Sequence, residues 1–285
     1  MRIVSLVPNG TEILFAVGAG PRVVGVSHEC DFPAEARRLP VLTASALPPG
    51  LAGAQVDAAV SAQLAGGASL YTLDEARIAA LAPDLIVTQD LCPVCAVSSA
   101  QVAGAVAPLP RCPEVLSLDP RRLDDVFGDV LRVGERTSRG QAARALVASL
   151  RGRLAAVAER RRGRLRPRIA ALEWLDPPFL AGHWVPEMID WAGGTDAFAS
   201  PGDPSRRTTW EAVAAADPDV VLVAPCGFDE AGARAEMEGL AGHPGWRSLR
   251  AVRDGRAHPL DANGLWSRPG PRLVDGVERL AVLLA

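Results

Sequence analysis

Short apolar runs alternate with stretches of helical periodicity along most of the chain. The apolar runs are rich in Val, Ile and Leu and show no polar alternation, which is typical of parallel strands covered on both faces. They predict strands at 2–6, 23–26, 85–88, 168–172, 220–224 and 257–260. Because predicted strands and helices alternate, the pattern indicates βαβ units and an α/β fold.

Two stretches of sequence recur in the two halves of the chain. ALAPDLIV at 80–87 is similar to AADPDVVLV at 215–223, with Asp84 and Asp219 in matching places. EILFAVGAG at 12–20 is similar to EMIDWAGGT at 187–195. Repeats of this kind predict two related α/β lobes.

The region between the two halves has helical spacing throughout. Asp119-Pro120 predicts a helix start, with the aspartate as cap and the proline at the first helical position. A second helix is predicted from near 138 to about 162, and its apolar stripe consists of Leu146, Leu150, Leu154 and Val157. We therefore expect an N-terminal α/β lobe at 1–117, a connecting helical segment at 118–166 and a C-terminal α/β lobe at 167–285.

Composition and charge exclude several classes of function. All 30 basic residues are arginine, which excludes Schiff-base lysine catalysis and lysine-dependent phosphate loops. The net charge of −3 argues against a nucleic-acid partner. The sequence also lacks the GxSxG of serine hydrolases and a GxGxxG after the first strand, and no carboxylate pair fits a catalytic template. The sequence therefore offers none of these recognised catalytic or dinucleotide-binding templates.

The apolar runs and the N-terminal sequence also lead to an expectation about where in the cell the protein is located. None reaches 18 uncharged residues, so no membrane span is expected. The N-terminus MRIVSLVPNGTE enters a strand at once and does not resemble a signal peptide. As it stands, the sequence predicts a cytoplasmic protein, or a periplasmic or cell-surface one if an export signal was removed.

Candidate chemistry is concentrated directly after the predicted strands. In open parallel sheets, ligands bind beyond the carboxyl ends of the strands. VPNGTE, SHECDFP and QDLCPVC follow strands of the first half; EWLDPPFLAGHW, APCGF and DANGLWSRPG follow strands of the second. These segments hold four of the five cysteines and two histidines, namely Cys30, Cys92, Cys95, Cys226, His28 and His183.

The CxxC of Cys92 and Cys95 has three interpretations. Thiolates with imidazole suit zinc, iron or copper(I), which favours a metal site at Cys30, Cys92 and Cys95. A helix start near Ser98 would lower a thiol pKa and favour redox chemistry. Small buried residues without chemistry are the third interpretation. The sequence leaves all three open.

Aromatic residues follow the strands of the second half, at Trp174, Phe179, Trp184, Trp210 and Trp266. Their rings would offer flat apolar surface to a large ring-shaped ligand. Ordinary core packing is the alternative interpretation.

The order of these segments resembles the vitamin B12- and iron-siderophore-binding proteins of ABC importers. The resemblance is carried by SLVPNGTEILFAVGAG, VVGVSHECDFP, LAPDLIVTQ, DPPFLAG, EMIDWAGG, WEAVAAADPDVVLV and RPGPR, and it covers nearly the whole chain. It implies the class III substrate-binding-protein fold, in which two Rossmann-like α/β lobes with parallel sheets are joined by a long rigid helix. It also implies non-catalytic binding of cobalamin or a related metal chelate in the cleft between the lobes, with an ABC transporter permease as possible partner.

The resemblance implies roles for single residues as well. Phe179 matches an aromatic that packs on the corrin ring, and Arg268 matches a basic residue of a C-lobe loop. Glu211 matches an acidic residue that docks on the transporter, whereas the N-lobe equivalent is Ala76, with Glu75 just upstream. The candidate ligand-binding residues are Pro8, Asn9, His28, Glu29, Cys30, Tyr71, Gln89, Asp90, Cys92, Trp174, Phe179, His183, Trp184, Cys226, Trp266 and Arg268.

The first lobe departs from the vitamin B12 binders, because Glu29 and Gln89 stand where those proteins have aromatics. The alternative function is therefore a cytoplasmic metalloprotein or thiol enzyme that uses the strand-end cysteines on the same scaffold, with zinc or iron as cofactor.

Overall fold

The computed structural model describes residues 1–48, 51, 53–67, 69–91 and 97–285, and the protein is α/β. The chain forms two compact units. The first contains Met1–Pro120 and Phe127–Val147, and the second contains Arg121–Val126 and Ala148–Ala285. None of the described helices is both long enough and apolar enough to span a membrane.

The first unit is built on a four-stranded parallel sheet. Its strands are β1 (Ile3–Ser5), β2 (Val23–Val26), β5 (Leu85–Thr88) and β6 (Glu114–Ser117), in the order β2-β1-β5-β6. A separate antiparallel pair consists of β3 (Thr43–Ser45) and β4 (Tyr71–Leu73). The helices of this unit are α1 (Pro8–Ala16), α2 (Ala54–Ala65), α3 (Glu75–Leu81) and α4 (Ser99–Val106).

The second unit contains a six-stranded sheet. Three strands are parallel and adjacent: β7 (Arg168–Leu175), β11 (Val220–Val223) and β12 (Ala257–Pro259). The short strands β8 (Pro178–Leu180), β9 (Thr195–Asp196) and β10 (Arg206–Arg207) extend it. Its helices are α7 (Val185–Trp191), α8 (Trp210–Ala216), α9 (Glu230–Gly239), α10 (Pro244–Ser248), α11 (Arg250–Arg253), α12 (Ala262–Leu265) and α13 (Leu273–Leu283).

All six predicted strands are present, and all but one of their ends match the prediction or differ from it by one residue. The exception is β7, which continues to Leu175 because its last residues pair with β8 in a hairpin. The central strands β5 and β11 are buried at every position, which explains their uninterrupted apolar sequence.

The duplicated sequence gives the same hydrogen-bond pattern in each unit. In the first, the Asp84 carboxylate accepts the Arg2 N–H (2.7 Å), and the Asp84 N–H donates to the Arg2 carbonyl (2.8 Å). In the second, Asp219 makes the equivalent pair of bonds with Arg168, at 2.9 and 2.8 Å. Each aspartate therefore fixes the start of a parallel strand pair, β1–β5 or β7–β11.

The helices α5 (Leu123–Arg136) and α6 (Gly140–Arg161) contribute residues to both units. The predicted start of α5 at Asp119-Pro120 is wrong. The Asp119 carboxylate instead accepts the Ser117 hydroxyl (2.8 Å) and the Asp90 N–H, at the ends of β6 and β5. The Leu123 N–H at the true start donates to the Glu187 carboxylate at 2.9 Å.

The second predicted helix, at about 138–162, is α6. Its apolar stripe differs at one position, because Leu146 is half-buried whereas Val147 is 6% exposed. Leu150, Leu154 and Val157 are buried as predicted.

Candidate functional site

The carboxyl end of β1 leads directly into the first turn of α1. Pro8 occupies the first helical position and Asn9 the second, and both are buried. Asn9 is 1% exposed, and neither its Oδ1 nor its Nδ2 has a hydrogen-bond partner.

Hydroxyl groups surround the thiol of Cys30, which follows β2. The Cys30 Sγ lies 3.1 Å from the Thr11 Oγ1 and 3.2 Å from the Ser27 Oγ, and the residue is 4% exposed. The Thr11 Oγ1 in turn lies 2.9 Å from the Ser5 Oγ. This packing favours a structural role for Cys30.

The predicted metal set joined Cys30 to Cys92 and Cys95, which lie outside the described residues, so that set stays a prediction. Within the described part of the chain, no group of three His, Cys, Asp or Glu side chains is placed to hold a metal ion. The alternative function as a metalloprotein or thiol enzyme therefore has no support in the described residues.

His28 is held by Thr43 at the carboxyl end of β2. Its backbone N–H donates to the Thr43 Oγ1 (3.0 Å), and its Nδ1 lies 2.7 Å from the same oxygen. Its Nε2 lies 3.6 Å from the Glu29 carboxylate, and its ring lies 5.6 Å from that of Tyr71. Because the Thr43 hydroxyl oxygen accepts the backbone N–H of His28, its own proton is available to donate to the His28 Nδ1. This favours a proton on Nε2, which then faces Glu29 and is not free to bind a metal.

Two further candidates lie at the end of β5. Gln89 is buried. Asp90 is exposed, and its carboxylate accepts the Ser99 N–H (2.7 Å) and the Ser117 hydroxyl (3.3 Å). Asp90 thus tethers the start of α4 to the end of β6.

In the second unit, a rigid loop presents His183 between β8 and α7. His183 has a φ of 54°, a left-handed conformation that is uncommon for residues other than glycine. Its N–H donates to the Asp203 carbonyl (2.6 Å), and its carbonyl accepts the Gly202 N–H (2.8 Å). A Cβ on Gly182 would lie 2.4 Å from the Asp203 carbonyl oxygen, so the loop requires glycine there. Strained conformations that the surroundings enforce are typical of functional sites.

A hydrogen-bond relay favours one tautomer of His183. The Ser205 hydroxyl donates to the Glu173 carboxylate (2.9 Å), and the Ser205 Oγ lies 3.5 Å from the His183 Nδ1. Because the hydroxyl proton is directed at Glu173, the Oγ is left to accept a proton from Nδ1. Nε2 then carries the lone pair.

The same histidine is neutral at neutral pH. Burial lowers the pKa of His183 below its ordinary value of 6.5, and the positive charge of Arg121 lowers the pKa further. A neutral imidazole with a free Nε2 is the form that binds metals.

The aromatic candidates of the second unit divide into two groups. Trp184, Trp210 and Trp266 are buried, and the Trp184 Nε1–H donates to the Trp266 carbonyl (2.7 Å). For these three the alternative of core packing applies. Trp174 and Phe179 are half-buried; Trp174 lies 6.2 Å from the Phe228 ring, and the Arg207 guanidinium lies 5.6 Å from the Phe179 ring centre.

The remaining candidates of this unit lie after β11 and β12. Cys226 is half-buried, and its thiol donates to the Ser267 Oγ at 3.5 Å. Arg268 is half-buried in the adjoining loop.

The proposed docking residues Glu75 and Glu211 are exposed and lie in the first turns of α3 and α8. The two helices are equivalent, because each ends in a left-handed residue, Ala82 or Asp217. Counting back six residues from these ends pairs Glu211 with Ala76. The pKa of Glu211 is lowered by its own backbone N–H and by the Thr209 hydroxyl, so its carboxylate is charged at neutral pH.

Comparison with known proteins places this chain among binding proteins. A family model described as periplasmic binding protein matches residues 3–263. The chain belongs to this family.

Three members of the periplasmic binding protein family illustrate the similarity. An uncharacterised ABC transporter substrate-binding lipoprotein of Bacillus subtilis, YvrC, is 25% identical over an alignment of 293 positions, which covers 98% of this chain and 78% of the relative. A vitamin B12-binding protein of Vibrio cholerae is 23% identical over 291 residues, 99% of this chain and 88% of the relative. The periplasmic heme-binding protein RhuT from Roseiflexus sp. RS-1, solved in apo form, has a TM-score of 0.73 and 27% identity, covering 99% of this chain and 97% of that one. The predicted family and the class III fold are confirmed.

The sequence alone did not indicate which residues orient His28 and His183 through hydrogen bonds. Glu173, Ser205 and Thr43 lie on β7, on the loop before β10 and on β3, far along the chain from the histidines they serve. None of these three residues belongs to a recognisable sequence motif. Only Glu173 had a local signal, since it is the one acidic residue in the strand RIAALEWL, which is apolar from Ile169 to Leu172.

Proposed function

We propose that this chain is the substrate-binding protein of an ABC transporter, that its ligand is a metal-bearing tetrapyrrole of the cobalamin or haem class, and that it performs no catalysis. The observation that carries the proposal is His183, a neutral imidazole with a free Nε2 on a loop of enforced conformation.

The chemistry of His183 suits the metal of such a ligand. Histidine is a common axial ligand of haem iron. A carboxylate that acts through a hydroxyl on the other ring nitrogen orients a metal-binding imidazole and raises its basicity. Glu173 and Ser205 supply this arrangement.

The aromatic side chains of the second unit suit the macrocycle. Trp174 and Phe179 are half-buried at the carboxyl end of β7 and in the hairpin strand that follows it, where their rings offer apolar surface to a flat ligand. The names of two similar proteins, a vitamin B12-binding protein and a heme-binding protein, support the same class of ligand.

The proposal is tested by absorbance titration of the purified, ligand-free protein with aquocobalamin and with haemin. We expect saturable binding of one of them at one ligand per chain, with a shift of its visible bands as a nitrogen ligand reaches the metal. Equilibrium dialysis that shows no retention of either ligand would contradict the proposal.

Delivery to an importer takes place outside the cytoplasmic membrane. The proposal therefore implies an exported protein. Cell fractionation with an antibody against the protein tests this, and a protein found only in the cytoplasmic fraction would contradict it.

A further inference from the structure

The first turn of α1 has backbone donors that nothing in the helix satisfies. Its cap residue, Val7, has no side chain that accepts a hydrogen bond, and Pro8 has no N–H. The first intrahelical bond is donated by Thr11 to the Val7 carbonyl at 3.1 Å. The N–H groups of Asn9 and Gly10 precede it and have no helical acceptor.

The Asn9 side chain adds a second, independent feature at the same place. It is 1% exposed, and both of its amide atoms lack a hydrogen-bond partner. Buried polar groups in proteins are nearly always paired, so an orphaned amide calls for an explanation. The Cα–Cβ bonds of a helix tilt toward its N-terminus, which directs this side chain to the end where the free N–H groups lie.

Polar residues close to Asn9 in the chain, and those that they contact, are paired. Ser5 contacts Thr11, Thr11 contacts Cys30, and Cys30 contacts Ser27. By the sequence repeat, the counterpart of Asn9 in the second unit is Trp184, whose indole N–H is also paired. These residues are paired, whereas the Asn9 side chain is not.

We propose that the N-terminus of α1 binds an anionic oxygen, of a carboxylate or a phosphate, through the Asn9 Nδ2 and the N–H groups of Asn9 and Gly10. The aligned peptide dipoles make a helix N-terminus favourable for negative charge, and free N–H groups there point at the anion. Burial strengthens the interaction because the local dielectric constant is low.

The source of the anion follows from the ligand class. Haem carries two propionate carboxylates, and cobalamin carries a phosphodiester. Assignment of the anion to the ligand rests on the proposed function, whereas the anion site itself does not.

The sign of a stability change in the ligand-free protein tests the anion site directly. Asn9→Asp places a tethered carboxylate at the donors, so we expect it to raise the Tm by about 1–3 °C at neutral pH. Inorganic phosphate, compared with chloride at equal ionic strength, should then raise the Tm of the wild type and of the control Asn263→Ala more than that of Asn9→Asp. A Tm of Asn9→Asp below that of the wild type would overturn the site, because it means a buried charge without donors. If Asn9→Asp and Asn9→Ala both have a lower Tm than the wild type, Asn9 binds a structural water, and this result also overturns the anion site.

A second experiment decides whether the anion belongs to the ligand. Asn9→Asp should weaken binding of haemin by about ten-fold or more, and should leave its uncharged dimethyl ester unaffected. Equal weakening of both, or of neither, would overturn the assignment to the ligand carboxylate. If the wild type binds no tetrapyrrole at all, the proposed function fails, and the stability experiment still decides the anion site.

Discussion

The backbone conformation, tautomer and charge of His183 depend on its neighbours. Two hydrogen bonds to the 202–203 segment hold the left-handed backbone, Ser205 and Glu173 favour the tautomer, and burial favours the neutral state. None of these depends on a sequence motif. The sequence predicted His28 as an equally good ligand-binding candidate, but its Nε2 is directed at Glu29.

The lowered pKa of His183 predicts how ligand binding depends on pH. Since the neutral form binds metal, affinity should be constant from pH 8 down to about pH 6.5, the ordinary pKa of histidine, and should fall only below that value. Burial also disfavours the charged form in the folded state, so the folded protein binds fewer protons than the unfolded chain just below pH 6.5. Stability should therefore fall as the pH drops from about 6.5 to the lowered pKa of the folded state, and affinity should fall below that pKa. Affinity measured by titration at half-unit pH intervals tests this. A decline that begins above pH 7 would contradict it.

At the scale of the elements, the sequence predicts the buried parts of the fold best. The strands β1, β2, β5, β7, β11 and β12 consist mostly of apolar residues, so their pattern is visible without knowledge of their partners. The short strands β3, β8, β9 and β10 have two or three residues each, too few for any periodicity.

The start of α5 shows why helix ends are harder to predict. Asp119-Pro120 is a good local start signal, but Asp119 is engaged by Asp90 and Ser117 from strands that pack beside it. The helix starts at Leu123, where its N–H meets a carboxylate 64 residues further along the chain. Tertiary contacts therefore override the local signal.

The hydrogen bond between the Leu123 N–H and the Glu187 carboxylate predicts the effect of a substitution at the start of α5. Glu187→Ala removes the acceptor of the Leu123 N–H and should lower the free energy of unfolding by about 1 kcal/mol, as for the loss of a helix cap. Glu187→Gln keeps an acceptor oxygen and should lose less. Urea unfolding of both variants tests this, and equal losses would mean that charge, and not the hydrogen bond, matters.

At the scale of the whole molecule, the sequence predicts the architecture and the family. The repeat in sequence becomes a repeat in structure, with Asp84 and Asp219 fixing equivalent strand pairs. The candidate site is predicted only in part. The strand-end rule found His183, Phe179 and Asn9, but it could not separate Trp174 from the buried Trp184 and Trp266, because burial depends on packing that a single sequence does not display.

The central claim is that His183 binds the metal of a tetrapyrrole. Its most direct test is the visible spectrum of the protein with bound ligand, compared among the wild type, His183→Asn and the control His258→Ala. Asparagine tolerates the left-handed backbone, so His183→Asn removes the imidazole without adding strain. His258 is likewise half-buried with a lowered pKa, but it lies in β12. We expect the nitrogen-ligand bands in the wild type and in His258→Ala, and their loss with at least about ten-fold weaker binding in His183→Asn. Identical spectra and affinities in all three proteins would contradict the claim.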